Sequence, residues 1–119
     1  MAFKQILAAL TQKSRASGAI MLDWEGEMVE MYSIQDDLQL DAIGAHKGII
    51  FSLMKEVAKN HDPNDQVKTV TMKTTTYKIV LRALKDGYYV VIVMHRLAIM
   101  GQAIFELERA SRLLEIEMG

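Results

Sequence analysis

The sequence predicts an α+β domain: a five-stranded antiparallel sheet with a long central helix on one face and the two terminal helices on the other. Apolar residues recur at helical spacing near both termini and in the middle of the chain. Five short stretches that suit β-strands lie between them, and tight turns join several of these stretches, which implies antiparallel neighbours. The 119 residues suit one domain, so we expect a single domain over residues 1–119.

The first quarter of the chain predicts a helix followed by a β-hairpin. The apolar residues of the helix follow the i, i+3, i+4, i+7 rule: Phe3, Ile6, Leu7 and Leu10. Small and polar residues at 14–18 end it. Strands are expected over residues 19–22 and 28–33, joined by the Asp-Trp-Glu-Gly turn at 23–26, where glycine can adopt positive φ.

The central helix is predicted over residues 38–59, with Asp36 and Asp37 as N-cap candidates. Its apolar side chains cover more than half of the helix circumference, whereas one stripe is enough to cover a sheet. Gly44 and Gly48 lie one turn apart, although each glycine costs about 1 kcal/mol in a helix relative to alanine. This helix is therefore expected to contact both its own sheet and a surface outside the fold.

The second half of the chain predicts three strands and a last helix. A breaker cluster at 60–65 precedes strands over residues 67–73, 77–84 and 88–94, and an Asp-Gly turn joins the last two. The strand at 88–94 is almost wholly apolar, which is typical of a central strand covered on both faces. The helical pattern resumes at Leu97. Its predicted inner side consists of Leu97, Met100, Ile104, Leu107, Ser111 and Leu114.

The strand at 67–73 is short and only half apolar, which suits the edge of the sheet. An unprotected edge can pair with another chain. If this edge lies beside the central helix, a symmetric homodimer can join edge to edge and helix to helix at once. The predicted dimer interface consists of Leu40, Ile43, Gly44, Lys47, Gly48, Phe51 and Met54 on the helix, with Lys68, Val70 and Met72 on the strand.

Several classes of function are disfavoured by what the sequence lacks. A net charge of −1 argues against nucleic acid as the main partner, and no apolar run is long enough for membrane insertion, so a cytoplasmic protein is expected. There are no cysteines, the three histidines lack metal-ligand spacing, and neither a P-loop nor a nucleophile motif occurs. We therefore expect no catalytic residue, no cofactor and no metal, and no enzyme activity of its own.

Two exposed-looking aromatic residues are candidate partner contacts. Trp24 at the first hairpin tip either folds back on the sheet or anchors a partner. Phe105 falls with Ile116 on the otherwise polar side of the last helix, either as a second contact patch or packed against a loop. None of the arginines is marked by its surroundings as an arginine finger.

Three stretches together resemble the Roadblock / dynein light chain family, and they span nearly the whole chain. They are the hairpin SGAIMLDWEGEMVEMYS, the helix DAIGAHKGIIFSLMKEVAK and the run VKTVTMKTTTYKIVLRALKDGYYVVIVMHRLAIMGQAIFELERA. The resemblance implies dimers formed through the central helix and an edge strand. It also implies, for prokaryotic single-domain members such as the MglB-like regulators, binding to a small Ras-like GTPase. The minimal length of the chain is similar to that prokaryotic type.

The resulting functional hypothesis is a homodimeric regulatory or scaffold module that binds a small Ras-like GTPase and modulates its nucleotide state or localisation, including as a GTPase-activating protein. One alternative is a structural, light-chain-like adaptor without effect on GTP hydrolysis. Another is a profilin-like ligand-sensing domain, which would need a pocket with converging polar groups.

Overall fold

Five strands form one antiparallel sheet in the computed structural model, which describes residues 2–35, 55–56, 58–62 and 64–119. The strands are β1 Gly18–Leu22, β2 Met28–Ser33, β3 Thr69–Lys73, β4 Tyr77–Ala83 and β5 Tyr89–His95, in the spatial order β2-β1-β5-β4-β3. The helices are α1 Phe3–Ser14, α2, whose described helical residues are 55–56 and 58–61, and α3 Met100–Met118. The predicted fold class and order of elements are confirmed.

The sheet carries a core on each face because its strands alternate their side chains. Met21, Val80 and Ile92 belong to the core that includes Leu7 of α1 and Leu107 of α3. The other core contains the intervening residues: Ile20, Leu22, Val70, Ile79, Leu81, Tyr89, Val91 and Val93. β5 lies between β1 and β4 and is buried from Tyr89 to Met94, as predicted for a strand covered on both faces.

α1 and α3 pack side by side on the first of these faces. The predicted inner residues Ile6, Leu7 and Leu10 of α1 are buried. Two polar residues share that inner face, because the Thr11 and Ser14 hydroxyls donate to the carbonyls of Leu7 (2.8 Å) and Leu10 (2.6 Å). These bonds satisfy the buried hydroxyls on the inner face of the helix.

The two predicted hairpin turns have the expected chemistry. At the first, Asp23 Oδ1 accepts hydrogen bonds from the amides of Glu25 (2.9 Å) and Glu27 (3.0 Å), and Gly26 has φ of 84°. At the second, the Tyr88 amide donates to the Lys85 carbonyl (3.2 Å). Asp86 and Gly87 between them have φ of 60° and 80°, the pair of positive angles that a type I′ turn requires.

Gly87 is expected to be the least replaceable residue of the second turn. An alanine there would have to keep positive φ, at about 1–2 kcal/mol, and its Cβ would lie 3.1 Å from the Cβ of Trp24. Gly87→Ala should therefore lower the free energy of unfolding by at least that amount. Gly101→Ala is the matched control, because nothing lies within 4 Å of a Cβ there and the change favours the helix by up to about 1 kcal/mol. Urea unfolding measures the free energy of unfolding of both variants. Equal values for Gly87→Ala and Gly101→Ala would contradict the prediction.

The start of the last helix was predicted too early. α3 begins at Met100, and Leu97, predicted on its inner side, is 71% exposed. The cause is a turn in which the amide of Leu97 donates to His95 Nδ1 (3.1 Å) and the amide of Ala98 to the His95 carbonyl (2.9 Å). The limits of four strands also differ from prediction: β1 starts at Gly18, β3 starts at Thr69, β4 ends at Ala83, and β5 runs from Tyr89 to His95.

Most of the predicted central helix lies outside the described residues. This applies to the N-cap candidates Asp36 and Asp37 and to every helical residue of the predicted dimer interface: Leu40, Ile43, Gly44, Lys47, Gly48, Phe51 and Met54. The last predicted residues of that helix are described, and residues 55–56 and 58–61 are helical.

Candidate protein–protein interface

β3 forms one edge of the sheet and presents a regular row of outward backbone groups. The Lys68 carbonyl accepts from the Ala83 amide and the Thr74 amide donates to the Tyr77 carbonyl, each at 2.8 Å, so even-numbered residues from 68 to 74 pair with β4. By alternation, the N–H and C=O groups of Thr69, Thr71 and Lys73 point away from β4. Among the described residues, no strand pairs with these groups.

β2 forms the opposite edge and is protected in two ways. Its register with β1 shifts because Met21 pairs with Glu30 and Leu22 with Met28, which leaves Val29 as an extra residue in a β-bulge. The Glu30 carboxylate also accepts a hydrogen bond from the amide of Met31 at 3.0 Å. The backbone groups of Tyr32 and Ile34 point toward β1, so the amide of Met31 points outward. The Glu30 carboxylate therefore occupies a hydrogen-bond donor that a further strand would need. The two edges are therefore unequal.

The three predicted interface residues on the edge strand have different surroundings. Lys68 is exposed and immediately precedes β3. Val70 is buried and Met72 half-buried, and both pack with the core on the face away from α1 and α3. β3 thus offers mainly its backbone and the side chains of Thr71 and Lys73 to a second chain.

Arg82 ties this edge to the rest of the molecule. Its Nη1 donates to Thr69 Oγ1 on β3 at 2.9 Å and lies 3.7 Å from Glu108 Oε1 on α3. The pair with Glu108 is partly exposed, so it adds little stability by itself. Since this guanidinium already has protein partners, it is not a free arginine finger.

Trp24 and Tyr88 meet at one end of the sheet, where the two hairpin turns lie side by side. Their rings make an edge contact, with centroids 5.7 Å apart and an interplanar angle of 61°. Trp24 nevertheless remains 62% exposed. The ring therefore packs against Tyr88, and its role as an anchor for a partner stays a prediction.

Tyr89 lies beneath the same turns, and burial, assisted by the Asp23 carboxylate, raises the pKa of its phenol. The unfolded chain loses this proton near pH 10, before the folded protein does. The corresponding stability is complete below pH 10 and declines as the pH rises through that value and above it. Urea midpoints of Tyr89→Phe should therefore fall less between pH 9 and 11 than those of the wild type. In Tyr77→Phe, which retains Tyr89, the urea midpoint should decline with pH as in the wild type. The same decline in Tyr89→Phe would refute the role of Tyr89 in this pH dependence.

Within the described ranges, no group of three or more histidine or acidic side chains is placed to hold a metal ion. None of the described helices combines the length and apolar character needed to cross a membrane.

Sequence reasoning missed the features that distinguish the two edges. The bulge at Val29 and the carboxylate of Glu30 become visible only when the register of β1 and β2 is known. Sequence reasoning also missed a groove between α1 and α3, lined by Ala9, Lys13 and Leu113 among others. Helical spacing contained a signal for it, because the apolar Leu113 falls outside the predicted inner side of α3.

The comparisons with known proteins agree on the family and the fold. A family model for the Roadblock/LC7 domain matches residues 2–94. The chain is similar to Myxococcus xanthus MglB, with a TM-score of 0.87 at 11% identity over 98% of this chain and 94% of that one. A Roadblock/LC7 domain from Streptomyces avermitilis gives 0.86 at 14% identity, over 97% and 96% of the two chains. Acanthamoeba castellanii profilin II gives 0.69 at 12% identity, over 99% and 100%. At these identities the structural similarities show the fold alone, and no curated protein matches the sequence.

Proposed function

Because the chain belongs to the Roadblock/LC7 family, whose members are regulatory or adaptor proteins and not classical enzymes, we propose that it is a homodimeric regulatory or scaffold module. It binds a small Ras-like GTPase and modulates the nucleotide state or localisation of that GTPase. The observation that carries the proposal is the regular outer edge of β3 in a Roadblock/LC7 domain whose other edge is protected.

The dimer is proposed to form by antiparallel pairing of β3 with β3 of a second copy. A twofold axis near Thr71 lets the outward groups of Thr69, Thr71 and Lys73 pair with the same groups of the other chain. This pairing joins two five-stranded sheets into one and leaves neither β3 edge open. The proposed interface also includes Lys68, Val70 and Met72 beside the edge, and the predicted helical residues Leu40, Ile43, Gly44, Lys47, Gly48, Phe51 and Met54.

The proposed partner is a small Ras-like GTPase, as in the MglB-like members of the family. Their mode of action needs no catalytic residue from the regulator. A dimer that binds the GTP-bound form more tightly shifts the switch segments of the GTPase toward the conformation that it recognises. Trp24 and Phe105, both exposed aromatic residues, are the proposed contacts outside the dimer interface.

The test uses the Ras-like GTPase encoded nearest to the gene for this chain. Its binding is measured after loading with GDP or with a non-hydrolysable GTP analogue, and its single-turnover GTP hydrolysis and nucleotide release are measured with and without the chain. We expect tighter binding of the GTP-like form and a changed rate of hydrolysis or release. Binding with both rates unchanged would favour the adaptor alternative, and no binding to either form would refute the proposal.

A further inference from the structure

We propose that the α1–α3 groove binds an amphipathic helical segment of a partner protein, with acidic residues beside its apolar anchors. The groove is the surface depression between the two terminal helices, on the opposite side of the sheet from the second core. Its walls include Ile6, Ala9 and Lys13 on α1 and Arg109, Ala110 and Leu113 on α3. The proposal depends neither on the β3 dimer nor on a GTPase.

The apolar surface continues from the groove onto the outer side of α3. Leu113 is 42% exposed in the groove wall, and Phe105 and Ile116 are 60% and 75% exposed beside it. Helical spacing places Phe105, Arg109, Arg112 and Ile116 along one stripe, because they lie four, three and four residues apart. Arginine among exposed aromatic and aliphatic residues is the composition of protein-binding surfaces.

The charges left available on this surface are mainly positive. Within the described ranges, no ion pair or hydrogen bond engages the side chains of Lys13, Arg109 or Arg112. Of the acidic residues of α3, Glu108 lies beside Arg82, and Glu115 accepts a hydrogen bond from the Lys85 amide at 2.9 Å. Glu106 is the carboxylate that lines the groove itself. A partner with carboxylates opposite Lys13 and Arg109 therefore gains electrostatic complementarity.

A second copy of this chain fits the surface poorly. Antiparallel packing of α3 on α3 of a second copy would place Phe105 opposite Ile116 and, between them, Arg109 opposite Arg112. Four guanidinium groups would then face one another at the centre of the interface, and like charges at that position are costly. A flat bilayer surface also fits poorly, because it cannot fill the concave space between two helices.

The length of the groove sets the length of the segment. The lining residues on α1 run from Ile6 to Lys13, so at 1.5 Å per residue the groove runs for about 11 Å. About two helical turns, with apolar residues at i, i+3, i+4 and i+7, fill that length. The Gln102 side chain, whose Nε2 donates to the Lys13 carbonyl at 3.2 Å, joins α3 to the C-terminal end of α1 and limits the groove there.

Two synthetic peptides of about 18 residues test the proposal by fluorescence anisotropy with the full chain. Both carry leucines at i, i+3, i+4 and i+7; one carries glutamate beside them and the other lysine at the same positions. We expect the glutamate peptide to bind at least about tenfold more tightly than the lysine peptide, and Arg109→Glu to remove that preference. Arg112→Glu provides a second variant on the same stripe.

Arg96→Glu is the matched control, because it makes the same charge change in the exposed turn after β5. It should leave the peptide affinities unchanged, and thermal unfolding verifies that all variants fold. Equal affinity for the two peptides, no binding of either, or equal effects of Arg96→Glu and Arg109→Glu would overturn the proposal. Vesicles containing about 30% phosphatidylserine form a further arm. Arg109-dependent sedimentation with them, without binding of the glutamate peptide, would show that this surface binds a membrane instead.

Discussion

Replacing Thr71 by proline should turn the proposed dimer into folded monomers. The Thr71 amide points away from β4, so proline removes no hydrogen bond of the monomer, and proline is tolerated in edge strands at such positions. In a dimer centred near Thr71, however, the same change removes one outward donor from each chain and places a ring between the two strands. We expect the dissociation constant to rise on the order of 100-fold, since two lost hydrogen bonds and the steric conflict together cost about 2.7 kcal/mol.

The measurement is sedimentation equilibrium over a wide concentration range, with circular dichroism to verify the fold. Thr71→Val is the matched control, because it keeps the amide and the β-branched shape at an exposed position. This variant should dimerise like the wild type. If Thr71→Pro folds and still dimerises with unchanged affinity, edge pairing through β3 is wrong. If the wild type itself is monomeric at high concentration, the proposal of a homodimer is wrong.

Leu107→Ala should have the largest effect on stability of the single substitutions considered. Leu107 is completely buried on α3, in the core that joins both terminal helices to the sheet. Truncating a leucine at such a site loses transfer free energy and leaves a cavity, which together cost about 2–5 kcal/mol. Since a domain of this size has a total stability of about 5–15 kcal/mol, the variant should be close to unfolding at elevated temperature.

The same substitution on the outer side of the helix provides the control. Leu113 is six residues further along α3 and partly exposed, so Leu113→Ala should cost less than about 1 kcal/mol. Urea unfolding at neutral pH gives both values. If both variants lost the same free energy of unfolding, the side of α3 that carries Leu107 would not be the side that faces the sheet.

Local chemistry explains which elements could be predicted from the sequence. The first hairpin depends on an aspartate that accepts two amides and a glycine with positive φ, all within five residues. The limits of β2 were predicted correctly for that reason. The apolar run of β5 has no polar face. Such a run suits a strand that lies between two other strands and is covered on both faces of the sheet, so β5 was predicted to be central.

Features that depend on one particular hydrogen bond or on distant parts of the chain could not be predicted. Leu97 continues the apolar pattern of α3, but the ring and carbonyl of His95 hold the segment in a turn, so the helix begins three residues later. Sequence patterns marked β3 as an edge but gave no indication that Glu30 and the bulge at Val29 protect the other edge. The charge balance of the α1–α3 groove likewise depends on Arg82 and Lys85, which lie on or beside β4 and engage the acids of α3.

The contacts of Arg82 give the two proposed interaction surfaces a side chain in common. Its guanidinium touches the first residue of β3 and the middle of α3, so it links the edge strand to the helix that carries the exposed arginine stripe. A substitution of Arg82 therefore disturbs both elements at once and is unsuited to separate the dimer proposal from the groove proposal.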